Sequence, residues 1–422
     1  MSLPDTYPAG APAPHLVVRS HVVTDVSPTL MDHLPTSGAL AWVRRGDGIV
    51  GWGAAARLDV AGSNRFAEAQ AWWKRLTSAA VVRDDLAVPG SGLVCFGSFG
   101  FTDEDPSELV VPEVIVGRRG GTTWVTTISP ASSLTAPPTL GRYEPDPVGP
   151  IAFADGARSG TAWSAIVADA VGRITDGDVD KVVLARDLIA IADQPIDLRR
   201  PLRRLAAAYP NCWTFAVDGL IGATPELLVR REKGLITSRV LAGTIRRTGD
   251  DAHDLALAAS LARSSKDLEE HEFAVRSVAD ALEPHCQSMN VPETPFVLHL
   301  PNVMHLASDV AGVAANGASA LGLAAALHPS AAVCGTPTDV ARDLISDIEG
   351  MGRGRYAGPV GWMDASGDGE WGIALRCGQA DPQDPRRMRL FAGCGIVAGS
   401  DPAAELAESN AKLVPMRDAL GD

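Results

Sequence analysis

Residues 212–244 read CWTFAVDGLIGATPELLVRREKGLITSRVLAGT. Three runs, CWTFAVDGLIGA, PELLVRRE and GLITSRVLAGT, are rich in β-branched, aromatic and leucine residues and are separated by short turns. A parallel return needs a crossover of a dozen or more residues, so strands this close in sequence pair antiparallel. Upstream, Trp163, Ile166, Val167, Ala170, Val171 and Ile174 recur at helical spacing, and DKVVLARDLIAI (180–191) then reads as a strand. Downstream, residues 250–284 read as one long helical segment. TPTDVARDLISDIEGMG (336–352) reads as another helix, with Thr338 as N-cap and glycines at its end. RYAGPVGWMDASGDGEWGIALRCGQA (355–380) is a hairpin about a Gly/Asp-rich turn, and MRLFAGCGIVAGS (388–400) adds a strand. The chain closes in a helix with Ser400 or Asp401 as cap and Pro402 near its first position. Strand meanders interrupted by single helices make an α+β protein with a large antiparallel sheet system.

The first third follows the same grammar. LVVRSHVV, LVCFGSFGF and PEVIVGRRGGTTWVTTIS are strand-like, the last with a Gly120-Gly121 hairpin turn, and AEAQAWWKRL (67–76) is helical. Residues 1–14, rich in Pro, Ala and Gly, are expected to be poorly ordered. APPTLGRYEPDPVGP (136–150) is the most linker-like stretch. It separates residues 15–150, the N-terminal part of the fold, from residues 151–422, and the two parts are expected to intertwine as one domain.

The 422 residues carry a formal net charge of −14, which argues against general nucleic-acid binding. A small anionic substrate remains open, since it needs only local positive charge. The six cysteines are scattered without a CxxC pair and read as buried free thiols of a reducing compartment. The start shows no basic-then-apolar leader and no apolar run spans a bilayer, so a cytoplasmic protein without membrane contact is expected. No P-loop or GxGxxG fingerprint is present.

KDLEEHEF (266–273) places four carboxylates in six residues. On a helix, Asp267 and Glu270 share one face, while Glu269 and Glu272 share a roughly opposite one. Glu272 has Arg276 at i+4 and reads as solvated; Glu270 could pair back to Lys266. Glu405 and Glu408 repeat the i, i+3 spacing near the C-terminus, with Lys412 four residues on. Either pair alone is commonly a solvated face. Two pairs on separate helices could instead converge as an all-oxygen site for a hard ion such as Mg²⁺. Other residues stand out singly. Lys181 opens a strand, where it is a surface cap or, if buried, a base. Glu226 in GATPELL is a turn carboxylate or, in an apolar pocket, a general acid. Arg376 interrupts an apolar strand and needs an anionic partner. Tyr356 and the glycines Gly393 and Gly395 suit close approach to a ligand.

Taken together, KVVLAR, GATPELL, VLAGTIRR, SKDLEEHE, MHLASDVAG, HPSAAVCGTP, RYAGPVGW, GIALRCG, AGCGIVAGSDP and ELAESNAKL resemble, in order and separation, the chorismate-utilising enzymes. These include isochorismate, salicylate, anthranilate and aminodeoxychorismate synthases. The resemblance covers about residues 155–417, and FGSFGF followed by LVVPEV looks like the family's lead-in. It implies a large two-layer antiparallel β-sandwich wrapped by helices, with the active site in a cleft. It implies that Glu270 and Glu408 bind Mg²⁺, supported by Asp267 and Glu405, and that the metal holds the C1 carboxylate of chorismate. Tyr356, Arg376, Gly393 and Lys412 would bind the substrate's carboxylates. Ala242, Gly243, Thr244 and Gly395 would also bind the substrate. Lys181 would activate water and Glu226 would protonate the departing C4 hydroxyl. His305 falls near the cleft, where it is a core histidine or a substrate neighbour.

VLAGTIRR has Ala242 where one group of aminodeoxychorismate synthases carries a lysine nucleophile, which disfavours that reaction. No amidotransferase domain is fused here, so no obligatory amidotransferase subunit is expected. The combination of motifs looks most like isochorismate synthase, with salicylate synthase as runner-up and a non-catalytic relative as the alternative from another class. Asn410 departs from the acidic residue often found there. Family precedent suggests a monomer.

Overall fold

The computed structural model describes residues 14–24, 26–132, 138, 140–315 and 317–421, leaving aside the side chain of Lys266. The stretch 1–14 thus lies, Pro14 apart, outside the described residues, as does the start of the 136–150 stretch.

Two large sheets form the core. One has thirteen strands and runs from Ile151–Asp155 through Lys181–Ala192, Arg387–Ile396, Cys377–Ala380, Leu220–Thr224, Trp213–Val217 and Leu40–Arg44 to Leu16–Val22 and Val81–Asp84. The other has ten and includes Val303–Ala314, Leu235–Arg246, Leu227–Glu232, Gly369–Ile373, Pro359–Asp364 and Val94–Ser98. Pairing is antiparallel throughout except between Leu16–Val22 and Val81–Asp84, which run parallel. Each sheet mixes strands from before and after the linker-like stretch. Residues 140–150 lie along the fold rather than outside it: Val148 is buried, and the Tyr143 amide donates to Asp32.

The period of two explains the layering. In Trp213–Val217, Trp213, Phe215 and Val217 enter the core between the sheets, together with Trp42, Phe96, Leu109 and Trp371 from both. Ala216, Ala41 and Val43 face the other way, into a second core under the helices Arg199–Ala208 and Pro402–Leu420. Both faces are covered, so these strands read as continuous apolar runs. At Gly120-Gly121 both residues take positive φ (55° and 84°), the backbone a two-residue hairpin with the strands' own twist demands.

Three local expectations need correction. The run 212–223 is itself a hairpin, Trp213–Val217 with Leu220–Thr224, and it does not pair with the next run, because Leu227–Glu232 lies in the other sheet and pairs with Leu235–Arg246. Residues 250–284 form two helices, Asp251–Leu261 and Ser265–Leu282, because Ser264 breaks the run and caps the second by accepting from the Asp267 amide at 3.3 Å. Such a cap stabilises a helix by about 1 kcal/mol. The helix Thr338–Ile348 is preceded by Pro337 as N-cap, with no side-chain cap bond; the Thr338 hydroxyl turns back to the Gly335 carbonyl. In the last helix the cap is Asp401, which accepts from Ala403 and Ala404, and Pro402 takes the first position. The six cysteines are free, five of them buried, and no helix among the described residues is long and apolar enough to cross a membrane.

Candidate active site

The chain passes between the two sheets several times, and two of these crossovers frame the site. Leu220–Thr224 belongs to the thirteen-stranded sheet and Leu227–Glu232 to the ten-stranded one, so Pro225 and Glu226 form one crossover. Gly369–Ile373 and Cys377–Ala380 are likewise in different sheets, so Ala374, Leu375 and Arg376 form the second. The crossovers are tied together: the Ile373 amide donates to Glu226 and the Ala223 amide to Arg376. Arg376 has φ of 50°, the left-handed region, which the tight crossover imposes. Crossing strands leave a gap between the sheets, and a cavity of about 140 Å³ opens there.

Fourteen of the fifteen residues singled out in the sequence line this cavity: Glu226, Ala242, Gly243, Thr244, Asp267, Glu270, His305, Tyr356, Arg376, Gly393, Gly395, Glu405, Glu408 and Lys412. The fifteenth, Lys181, is 1% exposed and lies just behind, its Nζ 3.0 Å from Glu270 Oε1. Gly395 makes that approach possible, since a Cβ there would fall 2.7 Å from Glu270 Oε1 and 3.1 Å from Lys181 Cε. Glu270 thus turns inward to Lys181; the alternative with Lys266 involves a side chain outside those described. Glu269 and Glu272 are exposed, and Glu272 pairs with Arg276 at 2.5 Å.

Gly243 marks a bulge in Leu235–Arg246: Ala242 pairs with Leu306 and Thr244 with His305, leaving Gly243 between them. Its φ of 76° and the Asp267 Cβ 3.1 Å from where a Cβ would sit explain the glycine. The bulge aims Thr244 at His305, Oγ1 to Nδ1 3.0 Å, and Arg376 Nη2 approaches His305 Nε2 at 3.2 Å. An arginine only donates, so Nε2 accepts and Nδ1 carries the proton toward Thr244. Burial, with Arg376 and Lys412 nearby, holds His305 well below its usual range, so the ring is neutral. His305 therefore orients Arg376.

Burial pushes the Glu226 carboxyl up to about 8, against the lowering pull of a backbone hydrogen bond at Leu241 and of Lys181, Lys412 and Arg376. At neutral pH it keeps its proton. Burial works to lower Lys412, but Glu408 at 2.6 Å outweighs it and holds the ammonium above its usual range. Lys412 also donates to the Gly393 carbonyl at 2.9 Å. Tyr356 stacks on Phe391 with ring centroids 5.0 Å apart, and burial raises its hydroxyl, keeping it a neutral donor.

Asp267 and Glu270 come from one helix, Glu405 and Glu408 from another, and all four face the cavity. Cys394 Sγ also lies within 4.8 Å of carboxylate oxygens of Glu405 and Glu408. Burial holds that thiol protonated, and it donates to the Glu405 carbonyl at 3.4 Å. The four carboxylates offer an oxygen donor set, which fits a hard ion such as Mg²⁺.

One charged residue of the cavity escaped the sequence reading. Arg353 lines the cavity, bound to Glu349 four residues earlier; the only signal was an i, i+4 acid–base pair ending a helix. Asn410, the departure from the family pattern, accepts from Arg186 Nη1 at 2.8 Å.

Comparison with known proteins agrees with this geometry. The profile described as "Chorismate binding enzyme" matches residues 39–140 and 149–421. Isochorismate synthase DhbC of Bacillus subtilis is 43% identical over 267 residues, which cover 60% of this chain and 66% of that protein. Putative isochorismate synthase MenF of Mycobacterium tuberculosis is 37% identical over 344 residues, covering 79% of this chain and 87% of that protein. The crystal structure of a putative 2,3-dihydroxybenzoate-specific isochorismate synthase, DhbC of Bacillus anthracis, superposes with a TM-score of 0.78 at 33% identity. It covers 93% of this chain and 98% of that one. The chain belongs to the chorismate-binding enzyme family and has its α+β fold, a two-layer antiparallel sandwich wrapped by helices.

Proposed function

We propose that the protein is a Mg²⁺-dependent isochorismate synthase, converting chorismate to isochorismate by adding water at C2 and releasing the C4 hydroxyl. The observation that carries this reading is the pairing, around one cavity, of a carboxyl that keeps its proton at neutral pH, Glu226, with a buried lysine, Lys181. The relatives' names support the same reaction, and Ala242 offers no nucleophile of its own.

The reaction needs one proton removed and one delivered. Water oxygen bonds to C2 while Lys181 takes its proton. The electron pairs of the ring's two double bonds shift toward C4, the C4–oxygen bond breaks, and Glu226 gives its proton to the leaving hydroxyl. Proton transfers placed this way typically contribute 10²–10⁴-fold each. Arg376, oriented by His305, and the Tyr356 hydroxyl bind the enolpyruvyl carboxylate, beside the Gly393 backbone and Lys412. Asp267, Glu270, Glu405 and Glu408 would hold Mg²⁺. When bound, the ion would supply positive charge to the C1 carboxylate and take up the charge of Glu270, on which Lys181 otherwise leans. The sequence's net charge of −14 is compatible with an anionic substrate for this reason.

The test is chromatography of products after incubation with chorismate and Mg²⁺. Isochorismate as main product is expected. Salicylate with pyruvate would make the protein a salicylate synthase, anthranilate formed with an ammonium salt would move it to the amine branch, and no turnover would favour a non-catalytic relative. A cytoplasmic, monomeric enzyme acting without an amidotransferase subunit completes the proposal.

A further inference from the structure

The strand Lys181–Ala192 has an incomplete edge. Arg387–Ile396 pairs along one side. On the other, Gly335–Thr336 pairs with residues 181–182 and Ile151–Asp155 with residues 188–192. Residues 183–187 lie between these partners, and there side chains and loop backbone take the place of a strand. Val183 donates to the Cys334 carbonyl. The Val183 carbonyl accepts from Arg353 Nη2 at 2.7 Å, and the Ala185 amide donates to Glu349 Oε2 at 2.8 Å. The Ala185 carbonyl accepts from Trp163 Nε1 at 2.9 Å.

Glu349 and Arg353 are joined by two bonds, of 2.6 and 2.8 Å, and are 2% and 3% exposed. Arg353 Nη1 reaches the Val333 carbonyl at 2.9 Å, and its guanidinium lies over the Phe101 ring at 4.2 Å. All three nitrogens are therefore directed at protein groups, although the residue lines the reaction cavity. The Arg353 carbonyl accepts from the Tyr356 amide, starting the turn that presents Tyr356. Arg353 and Tyr356 also belong to the wall of a larger, more open cavity of about 870 Å³.

We propose that Glu349 and Arg353 are positioning residues for the reaction. The pair fixes how far the strand advances Lys181 toward Glu270, and it anchors the turn that closes the cavity with Tyr356; this rests on Lys181 being the base. An apolar pair of equal volume could fill the space, but it could not bind a carbonyl and an amide of an unpaired strand edge in fixed directions.

The test compares Glu349→Gln, Arg353→Met and the double variant Glu349→Leu/Arg353→Met with the native protein. Replacing a buried ion pair by apolar residues commonly leaves a folded protein, so the double variant separates folding from positioning. In a folded double variant, kcat for chorismate is expected to fall about 100-fold, the scale of an ångström misplacement. KM is expected to stay within about threefold, because no substrate contact is removed. Amide exchange at residues 183–187 is expected to accelerate in all three variants. A folded double variant with near-native kcat would overturn the proposal. So would a raised KM with unchanged kcat, which would make Arg353 a substrate ligand. If the double variant does not fold, Arg353→Lys serves: it keeps the charge opposite Glu349 with one nitrogen instead of three, and the same split of kcat and KM is expected. Unchanged exchange at the Ala185 amide in the folded double variant, which removes its acceptor, would overturn the proposal without any turnover. That readout stands even if the native protein leaves chorismate unchanged and the proposed reaction fails.

Discussion

Lys181 Nζ and Glu270 Oε1 lie 3.0 Å apart, and Gly395 is what lets them meet. A methyl at 395 would press on the ends of two flexible side chains, not on backbone. Gly395→Ala should therefore fold, with thermal stability little changed, while displacing both Glu270 and Lys181. Its kcat should fall about 100-fold. Native kcat in the purified variant would show that the contact has no part in turnover.

Glu226 sets the alkaline limit. It is protonated below about 8 and ionised above, so an acid role predicts that kcat falls as pH rises through that value. Glu226→Gln should lower kcat by at least 10²-fold and abolish that limb. The same shift has a consequence for stability. The folded carboxyl titrates near 8 and a free one near 4.5, so the folded state binds the extra proton between these values. Stability should fall as pH rises across that window, and Glu226→Gln should flatten the slope in denaturant titrations. A slope unchanged by the substitution would mean that Glu226 is not held neutral.

The two faces of the helix Ser265–Leu282 should behave differently toward metal. Glu270→Ala should weaken Mg²⁺ binding, measured by calorimetry, by more than about tenfold. Glu269→Ala, on the exposed face, should leave it unchanged. The reverse result would place the ion elsewhere.

On the proposed mechanism, His305 acts on substrate through Arg376. His305→Ala removes the acceptor at 3.2 Å and frees the guanidinium to rotate, so KM for chorismate should rise roughly tenfold, the worth of one charge-assisted hydrogen bond. His305→Asn, which can still accept, should restore part of it. An unchanged KM in both would leave His305 a core residue.

Much of this site could be read from the chain. Trp213, Phe215 and Val217 announced a strand because both its faces are buried. The spacing of Asp267, Glu269, Glu270 and Glu272 split two helix faces, and the family resemblance chose which one turns inward. What stayed hidden depends on contacts distant in sequence. The break at Ser264 is one hydroxyl capping a helix inside an otherwise periodic run. The bulge at Gly243 is visible only once Val303–Ala314 is alongside. Arg353 sits beside a glycine-rich turn and gave no sign of its role, since its partner Val183 lies 170 residues away. The crossovers at Glu226 and Arg376, which bring the proposed acid and the proposed anion ligand to one cavity, follow from strand order, and a strand does not carry its neighbours in its own sequence.

Water addition at C2 is the central claim, and solvent oxygen reports on it directly. The purified protein is incubated with chorismate and Mg²⁺ in ¹⁸O-enriched water, and the product is analysed by mass spectrometry. The account predicts isochorismate carrying one ¹⁸O at the new hydroxyl, with the rate of its appearance abolished by Lys181→Ala. Isochorismate without label, or undiminished labelled product from the Lys181→Ala protein, would contradict it.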